Sequence, residues 1–171
     1  GTPDHFVLAE TADDIRQAKR DGKIAIIIGA QSPRFIEHAS LAASVEVFAK
    51  MGLRILQIGY NQRTFATEGC LCSEGGGLSA TGRQLIAAME ASGITVDISH
   101  IAHRAAMEAM DACTKPPIFS HSNPLELFDH PRNITAEAAK KCAGMGGVIG
   151  VCSYVPILWS RKRLPCIDDF V

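Results

Sequence analysis

Two of the six histidines, His100 and His121, each follow a serine, in Asp97-Ile98-Ser99-His100 and Ile118-Phe119-Ser120-His121. Neutral imidazole is a common metal ligand, and two rings aimed at one point can hold one ion between them. The alternative is that each is a loop histidine satisfied by a backbone carbonyl, and on residue type alone both readings stand. Arg132, in Asp129-His130-Pro131-Arg132-Asn133, brings a planar fork suited to a carboxylate; its other reading is a surface arginine paired with Asp129 or Glu137. Other patterns carry less. Gly75-Gly76-Gly77 has neither the lysine of a phosphate-binding loop nor a strand-turn-helix setting, so it reads as a flexible loop. Neither Ser99 nor Ser120 sits on a nucleophile elbow, which removes a serine triad. Cys70-Leu71-Cys72 lacks a second pair and makes a poor zinc site, while Arg161-Lys162-Arg163 reads as a solvated loop. His5 and His38 lack placement, and His103 falls in the helix after His100 with solvent as its default.

What must position these residues is a series of βα units. Thr11 to Asp14 resembles a capping box opening a helix to about residue 21, and Ile24 to Ile28 is a β-branched run that suits a strand buried on both faces. A helix from 39 to 51 stops at Gly52. The pattern then repeats: strand 53–58, helix 79–90, strand 95–99, helix 102–113, strand 117–120, helix 135–143 and strand 147–152. Residues 156–165 read as a loop, and Ile167-Asp168-Asp169 as the start of another element. Alternating strands and helices mean α/β units around a parallel sheet. The repeat is about 31 residues, and eight such units need about 250 residues, the size of a (β/α)₈ TIM barrel. The 171 residues therefore read as one domain, either an open five-stranded sheet or about five units of a barrel. In either case ligands bind at the carboxyl ends of the strands, where Gln31, Tyr60-Asn61, His100, His121 and Ser153-Tyr154 fall.

Composition agrees with an ordinary domain with a core: 47% apolar, 20% charged, 6% aromatic, net charge −1. Without a basic run, neither nucleic acid nor a membrane surface is an expected partner. No apolar stretch spans a bilayer, and GTPDHFVLAE does not read as a signal peptide. Six cysteines are too sparse for a disulfide scaffold, so a reduced, cytoplasmic chain is expected.

In order and spacing, Leu78-Ser79-Ala80-Thr81-Gly82-Arg83, Val96 to His100, Pro117 to Pro124 and Asp129 to Ile134 resemble the membrane (renal) dipeptidase family, particularly its bacterial branch, from about Asp13 onward. The resemblance implies a (β/α)₈ barrel with a two-zinc site that hydrolyses dipeptides or related amides. It makes His100 and His121 ligands of one zinc and Arg132 the grip on the substrate carboxylate. Tyr60 falls where better-known members carry a histidine that contacts the scissile group. Three departures accompany it. No His-x-Asp metal pair precedes Ile24, and no counterpart of the later catalytic aspartate lies within residues 1–171. Gln31 stands in the place of the glutamate that bridges the two ions, and an amide brings no charge to compensate them. A second zinc is thereby doubtful, and the 171 residues alone are expected to be inactive. The alternative is a binding or accessory protein from the same barrel that has lost its metal chemistry. A partial barrel bares two sheet edges, so a homo-oligomer or the remainder of a barrel is the expected partner.

Overall fold

The computed structural model describes residues 4–72 and 76–158; the expected element at 167–169, the cationic cluster at 161–163 and Cys166 lie outside them. Among the described residues the order is β1 (Phe6–Leu8), α1 (Ala12–Arg20), β2 (Ile24–Ile26), β3 (Ile28–Ala30), α2 (Leu41–Lys50), β4 (Leu53–Gln57), α3 (Ala80–Ala91), β5 (Thr95–Asp97), α4 (His103–Ala112), β6 (Ile118–Phe119), α5 (Ala136–Gly144) and β7 (Val148–Ile149). A short 3₁₀ turn, Val155–Ile157, begins where the sequence read as loop. No described helix is long and apolar enough to cross a membrane.

Every strand pairing is parallel. β1 pairs with β2, and β3 to β7 form a sheet in chain order. Only Ile27 separates β2 from β3, and the β3–β4 register shifts between Ile28 and Gly29, so the expected strand at 24–28 runs on to Ala30 with a break in it. Parallel strands in sequential order joined by helical crossovers are the layout of a (β/α)₈ barrel wall. Among the described residues there are five complete βα units, as expected, but they fall differently: β1 is an additional strand, and β7 follows the fifth helix.

Local chemistry explains the helix starts. Thr11 Oγ1 accepts from the Asp14 amide at 3.2 Å while Asp14 Oδ2 accepts from the Thr11 amide at 2.7 Å, a reciprocal cap. Ser79 Oγ accepts from the Gly82 amide at 2.9 Å and donates to the Phe65 carbonyl at 2.7 Å, tying α3 to the loop after β4. Thr135 caps α5 through the Ala138 amide.

The core lies between β4–β6 and the inner faces of α2–α5, with Leu56, Ile58, Leu85, Ile86, Met89, Ile98, Ala105 and Phe119 at its centre. One expectation fails here. Ile24, Ile26, Ile27 and Ile28 are 38–59% exposed rather than buried on both faces, and Phe6 and Leu8 beside them are exposed too. The reason is position: β1 and β2, with Ile27 and the start of β3, lie at the rim of the layer, where no described element covers their outer face.

Candidate metal centre

The site is built at the carboxyl ends of β4, β5 and β6. β5 ends at Asp97, short of the expected residue 99, and His100, three residues on, takes a φ of +67°. That left-handed conformation costs a non-glycine residue about 1–3 kcal/mol and persists only where its surroundings hold it. Here the Cys70 amide donates to the His100 carbonyl at 2.8 Å, and Gln57 Nε2, buried in β4, donates to the Ser99 carbonyl at 3.1 Å. The turn swings the His100 ring toward β6.

There it meets His121. The two Nε2 atoms are 2.8 Å apart. His100 Nδ1 contacts Asn61 Oδ1 at 2.7 Å, and His121 Nδ1 contacts Ser120 Oγ at 2.7 Å. Tyr60 stacks on His100, with ring centroids 4.2 Å apart and planes 16° from parallel. Burial, reinforced by Arg132 and His121, pushes the His100 pKa down to about 3. Burial and Arg132 also lower that of His121, against the opposing pull of Asp97. Both rings are therefore neutral near pH 7, the form that binds metal.

Arg132 is 5% exposed. Its Nη1 donates to Ser122 Oγ at 2.9 Å and its Nη2 to the His121 carbonyl oxygen. The surface reading, a pair with Asp129 or Glu137, is thereby overturned: the loop at 129–133 turns the side chain inward, and no described carboxylate lies within ion-pair distance of it. A buried guanidinium without an anion leaves positive charge at the wall of the cavity. That cavity, about 460 Å³, is lined by Tyr60, His100, His121, His130, Arg132 and Tyr154 among others. A larger groove of about 700 Å³ lies outside, between α2 and α3. Its charged residues are spent on each other, Lys50 with Glu46 at 2.6 Å and Arg54 with Glu10 at 2.5 Å, and it carries no comparable chemistry.

The family model described as Membrane dipeptidase (Peptidase family M19) matches residues 1–171. The chain belongs to the membrane dipeptidase family. It is 29% identical over 161 residues to dipeptidase tcpJ of Claviceps purpurea, covering 92% of this chain and 37% of that one. With an uncharacterized dipeptidase of Schizosaccharomyces pombe it shares 34% identity over 150 residues, 85% of this chain and 36% of the other. Among solved structures, an amidohydrolase from Pseudomonas aeruginosa superposes with a TM-score of 0.83 at 35% identity, over 91% of this chain and 47% of that one. A metallo peptidase from Rhodobacter sphaeroides, liganded with a phosphinate mimic of the dipeptide L-Ala-D-Ala, has the same fold (TM-score 0.86, 23% identity, 96% and 48% covered). The chain thus spans less than half the length of these relatives, and its α/β layer is part of a TIM barrel.

A family metal can be tested against the dipeptidase-like site. Nitrogens bound to one ion at about 2.0–2.1 Å stand about 2.9 Å apart at a right angle and about 3.4 Å apart in a tetrahedron. The 2.8 Å between the two Nε2 atoms is close to the right-angle value and about 0.6 Å short of the tetrahedral one, so a tetrahedral ion would require the two rings to part by that much. Among the described residues, no group of three or more His, Cys, Asp or Glu converges, so the pair is a partial ligand set. Gln31 follows β3 at the same edge of the sheet, is exposed, and is not among the residues lining the cavity. His103, as expected, opens α4 half-exposed, near Glu137 at 3.9 Å. Asn61 falls at the strand ends as the sequence reading places it, whereas neither Asp97 nor Ser120 has a site role on that reading. The available signal for Asp97 was a carboxylate inside an otherwise apolar strand.

Proposed function

We propose that this chain is the ligand-bearing part of a metal-dependent dipeptidase, with His100 and His121 as two ligands of one zinc ion and Arg132 as the grip on the substrate's free carboxylate. The 2.8 Å approach of the two Nε2 atoms carries the reading. What zinc supplies when bound is Lewis-acid polarisation of the scissile carbonyl. The chain's own residues do the rest. Arg132, buried and without a carboxylate partner among the described residues, offers charge-assisted hydrogen bonds to an anion and fixes one end of a dipeptide beside the imidazoles. Tyr60 covers the face of His100, limiting water and the rotation of that ring. On this reading residues 1–171 alone do not turn over, because two imidazoles do not complete a hydrolytic metal shell.

The test is dipeptide hydrolysis by the full-length protein with zinc. Arg132→Met is expected to lower kcat/KM for a dipeptide by about 100-fold, the worth of one charged hydrogen-bonding pair, and to change it little for the corresponding dipeptide amide. Equal losses on both substrates would remove Arg132 from the carboxylate role. Stoichiometric binding of a dipeptide with neither zinc nor turnover would replace the enzyme with a binding protein.

A further inference from the structure

Asp97 touches neither imidazole, yet the hydrogen-bond directions around it reach His121. It is 2% exposed, and its Oδ1 accepts from the amides of Ser99 at 2.9 Å and Ser120 at 3.2 Å. Its Oδ2 accepts from the Ser120 hydroxyl. A serine has one hydroxyl proton. With that proton committed to the carboxylate, Ser120 Oγ can face His121 Nδ1, 2.7 Å away, only as an acceptor. His121 Nδ1 must then carry the ring's single proton, leaving Nε2 as a bare lone pair. Across the site, the Asn61 carbonyl oxygen imposes the same tautomer on His100. Two lone pairs therefore face one another at 2.8 Å, an arrangement that is resolved by a cation between them or by protonation of one ring, which burial beside Arg132 disfavours.

We infer that Asp97 is a positioning residue that acts through Ser120 to lock His121 in the Nδ1–H tautomer, so that Nε2 is presented as a ligand. Outer partners commonly set the tautomer of ligating histidines, here through a hydroxyl relay rather than a direct carboxylate contact. The inference rests on the metal reading for its purpose but not for its test.

The tautomer of His121 is read by long-range ¹H–¹⁵N NMR of the metal-free protein. Wild type is expected to show a protonated Nδ1. Asp97→Asn keeps the shape and an oxygen for the backbone amides, but its Nδ2 now donates to Ser120 Oγ. The hydroxyl must then turn and donate to His121 Nδ1, moving the ring proton to Nε2. Ser120→Ala removes the relay from an exposed position, so folding is preserved; it is expected to give mixed tautomers and to weaken zinc binding about 10–100-fold by calorimetry. Ser120→Thr, which keeps the hydroxyl, is expected to restore both. Tautomer changes without zinc binding in wild type would sink the metal reading and leave the relay standing. A His121 that stays Nδ1-protonated in both Asp97→Asn and Ser120→Ala would overturn the inference.

Discussion

Deleting either imidazole leaves the other with open space where a partner nitrogen stood, so the two histidines should fail alike. His100→Ala and His121→Ala are each expected to weaken zinc binding by more than the ~10–100-fold typical of losing an outer partner, as measured by calorimetry. Titration gives a second prediction. The folded His100 titrates at about 3 because it is buried beside Arg132, against an ordinary value of 6.5. Between these values the unfolded chain binds a proton that the folded chain does not, so stability rises with pH there and is lost as pH falls from about 7 toward 3. His121, also shifted down, adds with the same sign. Urea midpoints of the metal-free protein should fall across this window, and less steeply in His100→Gln; equal slopes would contradict the assignment. The placement of His100 and His121 at adjacent strand ends is legible in the sequence because strand ends can be located from apolar runs, whereas the inward turn of Arg132 is not, since its spacing alone suits a surface pair equally well. The role of Asp97 is not legible either, because it lies in a partner 23 residues away, and Asn61, though placed at the strand ends, gains its contact to His100 only across 39 residues of chain.

The elements hold the site by close approach at two glycines. A Cβ on Gly150, just after β7, would stand 2.1 Å from the Ser120 carbonyl oxygen, and one on Gly69 would stand 2.2 Å from that of Tyr60. Neither backbone can yield without moving His121 or the Tyr60–Asn61 turn. Gly150→Ala is therefore expected to lower the urea midpoint and weaken zinc binding together; an unchanged affinity would mean that β7 does not support the site. By contrast, Ser79→Ala should cost about 1 kcal/mol of stability, the usual value of a helix cap, with zinc affinity unaffected. Helices and their caps were readable, since Thr11 and Ser79 announce their starts locally. β1 was not, because Phe6–Leu8 is three residues long and takes its strand geometry from pairing with Ile24–Ile26. The exposure of Ile24–Ile28 departs from the sequence expectation for a related reason: a β-branched run specifies a strand, while its place in the layer decides what covers it.

At the scale of the whole molecule, the layer is unevenly covered. Phe6, Leu8, Ile24, Ile26 and Ile28 are exposed at one rim, and Val148 and Val151 at the other. Contiguous apolar surface on strands favours association. Residues 1–171 in isolation are expected to show concentration-dependent oligomers by light scattering, and Ile26→Lys to reduce them. A monodisperse monomer at all concentrations would show that these rims need no partner. Function on this reading depends on two rings from neighbouring strands gripping one ion, and anomalous diffraction at the zinc edge from crystals of the zinc-loaded protein tests this most directly. The predicted result is a single peak about 2.0–2.1 Å from both the His100 and the His121 Nε2 atoms; a zinc ion bound to only one of them, or located away from both, would contradict it.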